Sequence, residues 1–338
     1  MHELARLAHK TTFVLAQRPA PRTVSTVPSL HGNTSPHVGY SGALVGRYRL
    51  VQHLGTGGMG SVWRAHDCAL DRHVALKLMR APDCPSVADE GRALARVTHP
   101  NVVEVFETGR SDGRGYVAME LVDGVDLRTM MHDDGVRRLE LVKHLLEAGR
   151  GLAATHRAGL VHRDFKPANV VVGNDGRARV IDFGIATEGM SIESLTLDGE
   201  EDEEQTHVGE AAGTLAYMAP EQHLRGPITA AADQFAFCVS LYEALFGARP
   251  YQGDTRADFA MAKLGGPPRM PRHLGVSSRW HRALARGLDP DPRRRFRSMD
   301  ALLAALGPAH ASVRPDRFMS LMTAAAAVVA LAPALLPG

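Results

Sequence analysis

The most informative stretch of this chain is His162-Arg163-Asp164-Phe165-Lys166-Pro167-Ala168-Asn169, and Asp182-Phe183-Gly184 follows thirteen positions after its last residue. Asp164 can orient and deprotonate a hydroxyl group. Asn169 and Asp182 offer the oxygen ligands that Mg²⁺ requires when it bridges nucleotide phosphates. The two runs together predict a phosphoryl-transfer site, with Asp164 as the catalytic residue and the other two as metal ligands.

A glycine-rich run, Gly55-Thr56-Gly57-Gly58-Met59-Gly60-Ser61-Val62, lies upstream between two strand-like segments. Glycine allows backbone amides to approach phosphates closely. The same spacing occurs in dinucleotide-binding proteins, where a helix follows the glycines. Here the strand-like run 60–65 follows, which argues against a nicotinamide or flavin fold. We therefore predict that the nucleotide phosphates contact Gly55, Gly57, Gly58 and Gly60.

Lys77 ends the apolar run Val74-Ala75-Leu76-Lys77, where an unpaired ammonium group is costly to bury. It needs anionic partners, and Glu90 in the helix-like segment 90–97 can supply one. Nucleotide phosphates supply the other. A lysine that reaches solvent from an edge strand is the structural alternative.

In their order and spacing, these residues resemble a protein kinase catalytic domain over residues 48–307, and Ala219-Pro220-Glu221 extends the resemblance. The runs 162–169 and 213–222 are similar to bacterial serine/threonine protein kinases. The resemblance implies an α+β, bilobal fold with a β-rich N-lobe and a mainly helical C-lobe, at about 48–120 and 126–307. Strand-like runs at 48–54, 60–65, 74–79, 102–107 and 116–120, followed by helical periodicity beyond about residue 126, agree with that division.

The resemblance also implies roles for single residues. Lys166 steadies the transferring phosphate and is typical of serine/threonine kinases, and Thr214 binds Asp164 and Lys166 to shape the acceptor pocket. Arg163 gathers a phosphate from an activation segment at 182–221, with Thr206 as the leading acceptor. Ser191, Ser194 and Thr196 are the alternative acceptors. Asp233 is structural, and Arg295 pairs with Glu221.

The nucleotide base is expected at the hinge between the lobes. Met119 flanks the adenine, and the stretch from Glu120 to Val122 offers backbone hydrogen bonds. A methionine in the N-lobe core is the alternative interpretation. Leu54, Val62, Ala75 and Val171 complete the apolar cofactor-binding set. ATP and Mg²⁺ are the implied cofactors.

Composition limits the partners. Hydrophobic residues make up 44% and charged residues 22%, which is typical of a globular chain. The net charge of +2 without a basic stripe excludes nucleic acid as the main partner. The expected partners are protein substrates with Ser or Thr acceptors, and a homodimer that autophosphorylates in trans stays open. Three cysteines, Cys68, Cys84 and Cys238, match neither a zinc site nor a disulfide framework and suit a reducing cytoplasm.

The two ends of the chain differ from its centre. Residues 1–47 are rich in Pro, Ser, Thr and Gly and are predicted to form a disordered extension. Residues 308–317 are a predicted linker. The uncharged run 318–336 is just long enough for a single C-terminal helix in the inner membrane, with the catalytic domain on the cytoplasmic side. A packed or amphipathic C-terminal helix is the equal alternative.

Two other classes of function remain. A pseudokinase scaffold would bind partners without catalysis, although all the polar groups that the chemistry requires are present. A small-molecule kinase of related fold would transfer phosphate to a metabolite, although such enzymes lack the Ala219-Pro220-Glu221 run.

Overall fold

The computed structural model describes residues 41–57, 60–79, 91, 93–183, 213–271 and 275–308. Within these ranges an antiparallel sheet in the N-terminal part is followed by a mainly helical part. The sheet has the strand order β1-β2-β3-β4-β6-β5. Its strands are β1 (Leu44–Val45), β2 (Tyr48–Gly57), β3 (Gly60–Asp67), β4 (Arg72–Met79), β5 (Val105–Ser111) and β6 (Arg114–Met119).

Alternation along β4 explains how the sheet presents its lysine. Val74 and Leu76 point to one face, where a small cluster forms around Trp63. Ala75 shares the opposite face with Met79, and both belong to the main core. Because side chains alternate along a strand, Lys77 lies on this second face.

The helical part contains seven α-helices within the described residues. They are α1 (Leu127–Met131), α2 (Arg138–Arg157), α3 (Pro220–His223), α4 (Ala230–Phe246), α5 (Arg256–Leu264), α6 (Ser278–Gly287) and α7 (Met299–Leu306). α4 is buried almost all round, begins at a Thr229 cap and ends at Gly247, whose φ of 74° is left-handed. α2 packs against both α4 and α7. The α+β, two-lobed class predicted from the sequence is confirmed.

A second, three-stranded sheet departs from the helical expectation beyond residue 126. It consists of β7 (Gly124–Asp126), β8 (Val170–Gly173) and β9 (Ala178–Val180), in that order. These strands are too short for a periodicity to be recognised. The sheet positions both predicted metal ligands, because β8 begins directly after Asn169 and β9 ends shortly before Asp182.

The strand predicted at residues 102–107 begins three residues later than the sequence pattern indicates. The strand begins at Val105, whereas Val102 forms a bridge with Val180 and the Val103 amide donates to the Val180 carbonyl at 3.0 Å. Val102 and Val103 are buried against the second sheet. Their apolar character therefore reflects packing between sheets.

The predicted disordered extension over 1–47 is wrong for its last residues. Leu44–Val45 pairs with β2, and the Arg47 guanidinium contacts Asp67 at 3.1 Å and Glu107 at 3.0 Å. These contacts fix the chain before Tyr48. Residues 1–40 and the predicted segment 318–336 lie outside the described residues, and within the described ranges no helix is both long and apolar enough to span a bilayer.

Candidate active site

Asp164 lies at the centre of a hydrogen-bonded cluster. The Lys166 ammonium donates to Asp164 Oδ2 and to the Thr214 hydroxyl, each at 2.9 Å. The Asn169 amide donates to the Asp164 carbonyl at 2.8 Å and to Oδ2 at 3.2 Å. The predicted bond from Thr214 to Asp164 is not formed, because the Lys166 ammonium lies between the two oxygens.

The loop that carries Asp164 is hydrogen-bonded to Asp233, which lies near the start of α4. The Asp233 carboxylate accepts from the backbone amides of His162 at 2.7 Å and Arg163 at 2.9 Å. Arg163 has φ 67°, a left-handed conformation that costs energy in a residue with a Cβ. The structural role that the resemblance implied for Asp233 is therefore visible as two hydrogen bonds that stabilise a strained loop.

The His162 ring connects this loop with the segment before Asp182. The Asp164 amide donates to His162 Nδ1 at 3.3 Å, so Nε2 carries the proton and donates to the Ile181 carbonyl at 2.9 Å. The ring also packs against Phe183 with centroids 4.7 Å apart. The predicted base and the predicted metal ligand are thus coupled through one buried, neutral imidazole.

Lys77 and Asp182 form an ion pair between β4 and the segment after β9. The distance from Nζ to Oδ1 is 2.9 Å, and Lys77 is buried. Burial, the largest single influence, acts to raise the pKa of Asp182, but the positive charges around it, the Lys77 ammonium foremost, together lower it. The carboxylate is therefore ionised at neutral pH and can bind a cation.

The donor set fits Mg²⁺ shared with phosphates. Both bonds of the Asn169 amide group use its nitrogen, which leaves Oδ1 as an acceptor, and Asp182 keeps Oδ2. No group of three or more His, Cys, Asp or Glu side chains with metal-binding geometry occurs among the described residues. A site with one carboxylate and one amide suits a cation that takes its other ligands from phosphates and water.

The glycine-rich run forms the turn between β2 and β3, as its strand-like flanks predict. Gly60 has φ 153°, and a Cβ there would collide with the Leu78 carbonyl, so the residue must be glycine. A Cβ on Gly55 or Gly57 would meet no atom of the described residues within 4 Å. These two positions have room for a ligand, whereas Gly60 allows the strands to approach. Gly58 lies outside the described residues.

The predicted adenine-binding residues come from both lobes. Ala75 and Met119 are cross-strand partners on β4 and β6, and Met119 is buried in the main core. The Glu120 amide donates to the Glu104 carbonyl at 2.8 Å, whereas no described residue accepts a hydrogen bond from the Val122 amide. Leu54 is exposed on β2, Val62 on β3 is half-buried, and Val171 on β8 is half-buried.

Besides Gly58, two of the predicted site residues cannot be placed. Glu90, the expected partner of Lys77, and Thr206, the expected phosphate acceptor, lie outside the described residues. Arg163 is described: its carbonyl accepts from the Gln222 amide at 2.7 Å. Gln222 thereby joins the helix after Ala219-Pro220 to the catalytic loop, which the sequence analysis did not foresee.

Sequence reasoning also missed Arg179 on β9. Its guanidinium binds the Glu120 carboxylate at 3.0 Å and Asp175 at 2.8 Å, so it fixes the hinge side chain against the second sheet. These hydrogen bonds hold the pKa of Asp175 well below its usual range. The three-residue strand Ala178–Val180 gives no recognisable pattern in the sequence, so only the folded structure shows Arg179 as a charged residue in a buried strand, as Lys77 is in β4.

The curled sheet, the helical lobe and the polar cluster between them define the class of a protein kinase domain. The profile of the protein kinase domain family matches residues 48–304, and the chain belongs to this family.

Curated relatives are similar over most of this chain. Serine/threonine-protein kinase PknE of Mycobacterium bovis is 36% identical over 292 residues, which covers 83% of this chain and 49% of the relative. Serine/threonine-protein kinase PknA of Mycobacterium tuberculosis is 36% identical over 296 residues, covering 84% of this chain and 65% of the relative. The chain therefore spans 49% to 65% of the length of these relatives.

Proposed function

We propose that this chain is a serine/threonine protein kinase that transfers the γ-phosphoryl group of ATP to hydroxyl groups of protein substrates. The observation that carries the proposal is the hydrogen-bonded series Thr214–Lys166–Asp164, with two contacts of 2.9 Å. It brings together a carboxylate for the incoming hydroxyl, a cation for the developing charge and a hydroxyl that shapes the acceptor pocket. The relatives PknE and PknA are named as serine/threonine-protein kinases, which supports the same class of acceptor.

Phosphoryl transfer asks the protein mainly for positioning and charge neutralisation. In the proposed reaction, Asp164 orients the substrate hydroxyl and accepts its proton. Lys166 stays between Asp164 and Thr214 and stabilises the oxygens of the transferring group. The Asp233 contacts keep this loop in place throughout.

The nucleotide is held by residues of both lobes. Lys77, oriented by Glu90, binds phosphates together with the amides of the glycine turn at Gly55, Gly57, Gly58 and Gly60. Asn169 and Asp182 hold Mg²⁺, which supplies charge neutralisation on the phosphates. The base is held by the hinge and apolar set, namely Leu54, Val62, Ala75, Met119, Glu120, Val122 and Val171.

The wider organisation is part of the proposal. Residues 48–307 form the catalytic domain on the cytoplasmic side, and the segment 318–336 is either an inner-membrane anchor or a packed helix. Arg163 receives the phosphate of Thr206 after autophosphorylation, in trans within a homodimer. Thr206→Ala should then block the rise in activity that follows incubation with ATP, and phosphate mapping that finds Thr206 bare in the activated protein would reject this site.

Incorporation of labelled phosphate from Mg²⁺-ATP by the full chain tests the function, with casein as acceptor. We expect phosphoserine or phosphothreonine, and Asp164→Asn should lower the rate by on the order of 10²–10⁴ without preventing ATP binding. ATP binding without any transfer to protein would support a scaffold instead. Transfer only to small molecules would support a metabolite kinase.

A further inference from the structure

Lys263 on α5 is a buried cation that the proposed chemistry does not use. Its side chain has no exposed surface, and Nζ donates to the Leu215 carbonyl at 2.6 Å. Nζ also contacts His223 Nε2 at 3.0 Å and lies 5.1 Å from the centre of the Phe259 ring. No carboxylate of the described residues lies within ion-pair distance of it. A buried ammonium group without a counter-ion is costly, so its position requires an explanation.

The carbonyl that Lys263 binds belongs to the segment next to the predicted acceptor pocket. Leu215 directly follows Thr214, whose hydroxyl accepts from Lys166 at 2.9 Å. The Tyr217 amide closes the segment by donating to the Thr214 carbonyl at 3.1 Å. We call residues 213–217 the acceptor segment. Lys166 holds its first part from the catalytic loop, and Lys263 holds the next residue from α5.

The same helix also braces α3. Arg256, in the first turn of α5, donates to the Gln222 carbonyl at 2.9 Å and to the His223 carbonyl at 3.4 Å. Gln222 in turn donates to the Arg163 carbonyl at 2.7 Å. α5 therefore contacts both the acceptor segment and the helix that is tied to the catalytic loop.

Burial disfavours the ionised form of Lys263, and Lys263 in turn disfavours the ionised form of the neighbouring His223. Burial lowers the pKa of Lys263 to about 7. Burial, together with the charges of Lys263 and Arg256, lowers the pKa of His223 to about 4. His223 is thus neutral near pH 7 and can accept a hydrogen bond from Lys263, which at the same pH is partly protonated.

We infer that Lys263 is a positioning residue for the acceptor segment, holding the Leu215 carbonyl so that Thr214 and Lys166 stay aligned for an incoming Ser or Thr side chain. The inference rests on the proposed function, because the acceptor is the protein substrate of that kinase. It concerns the protein substrate alone, since among the described residues the Lys77–Asp182 pair, proposed to act on the nucleotide, shares no hydrogen bond with Lys263 or Leu215. A change at Lys263 should therefore affect the two substrates differently.

Steady-state kinetics of the full-length Lys263→Met variant test this separation. Methionine has a side chain of about the same length as lysine but lacks the ammonium group that donates to the Leu215 carbonyl. We expect the KM for casein to rise on the order of tenfold, as for the loss of one charge-assisted hydrogen bond, with the KM for ATP unchanged. Lys143→Met is the matched control, because Lys143 is 60% exposed and pairs only loosely with Glu147 on α2. Equal kinetics for the Lys263→Met variant and wild type, or parallel rises in both KM values, would overturn the inference.

Lys263→Gln separates hydrogen bonding from charge. Its amide can still donate to the Leu215 carbonyl, so we expect partial rescue of the KM for casein. In wild type that KM should increase between pH 6 and pH 8.5 as the ammonium loses its proton, whereas in the Gln variant it should not vary. The same pH dependence in both proteins would contradict a role for Lys263.

Hydrogen exchange distinguishes failure of the inference from failure of the proposed function. The Tyr217 amide should exchange faster in the Lys263→Met variant than in wild type, whether or not the chain transfers phosphate. If wild type binds ATP but never phosphorylates protein, the proposed function is rejected, while the exchange rate of the Tyr217 amide still tests the contact of Lys263 with the acceptor segment. Unchanged protection at Tyr217 in an active enzyme would reject the positioning role alone.

Discussion

The Glu221 carboxylate accepts two hydrogen bonds from the Arg295 guanidinium, at 2.7 and 2.8 Å. Arg295 has no exposed side-chain surface and Glu221 has 9%. Arg295 also donates to the carbonyls of Asp289 and Ala231, at 2.8 Å each. The pair that the resemblance implied is therefore present. It connects α3, which carries Glu221, with the segment between α6 and α7, which carries Arg295.

Breaking this pair should destabilise the C-lobe strongly. In Arg295→Met the Glu221 carboxylate stays buried without its counter-ion, which typically costs about 3–5 kcal/mol. Urea unfolding followed by circular dichroism measures the loss. Arg293→Met, in the 3₁₀ turn Pro292–Arg294 that directly precedes Arg295, is the control: the Arg293 side chain is 88% exposed, and its loss should leave the unfolding midpoint unchanged. Similar midpoints for the two variants would show that the Glu221–Arg295 pair does not stabilise the fold.

Two glycines of the same turn should respond differently to alanine. Gly60→Ala forces a Cβ into the Leu78 carbonyl at a φ of 153°, and we expect a loss of about 1–3 kcal/mol in unfolding free energy. The added Cβ of Gly55→Ala meets no atom of the part of the chain that the structure describes, so its stability should equal that of wild type while its KM for ATP rises. Thermal unfolding and ATP kinetics of both variants check this contrast. A stability loss at Gly55 as large as at Gly60 would contradict it.

Removal of the charge on Asp182 should abolish the metal dependence of nucleotide binding. Calorimetric titration of wild type with ATP is expected to give much tighter binding in Mg²⁺ than in EDTA. For Asp182→Asn the two dissociation constants should approach each other, because the substitution removes the one negatively charged protein ligand of the proposed site and leaves only neutral amide oxygens. Asp300→Asn is the control, since Asp300 is an exposed partner of Arg157 far from the site in sequence. Retained Mg²⁺ enhancement in Asp182→Asn would exclude Asp182 as a ligand.

Lys263 should make the stability of the fold depend on pH. Its pKa falls from an ordinary 10.5 to about 7 on folding, so between these values the unfolded chain binds more protons than the folded one. Stability therefore rises with pH across that window, and below pH 7 the full cost of the buried charge is present, on the order of 5 kcal/mol. Lys263→Met should gain stability over wild type most at pH 6 and less at pH 9. Melting temperatures of the variant and of wild type at pH 6 and pH 9 test this prediction. A difference between the two proteins that is the same at both pH values would refute it.

Several parts of the fold and site were readable in the chain. The apolar run Val74–Lys77 predicted a buried strand lysine, and the glycines between two strand-like runs predicted a hairpin turn. The resemblance supplied Asp233 and the Glu221–Arg295 pair. These features succeed because local periodicity and ordered motifs persist in the sequence whatever the chain does elsewhere.

Other features depend on partners far away in the chain. Whether Val102 belongs to the first sheet or packs on Val180 is set by contacts between sheets, as is the position of Arg179 against Glu120. Lys263 is an ordinary residue of an amphipathic helix until folding buries it against Leu215, 48 positions away. Residue types and spacing thus specified the chemical groups of this kinase domain. Folding alone settled which of them meet, because burial and hydrogen-bond partners are properties of three-dimensional packing.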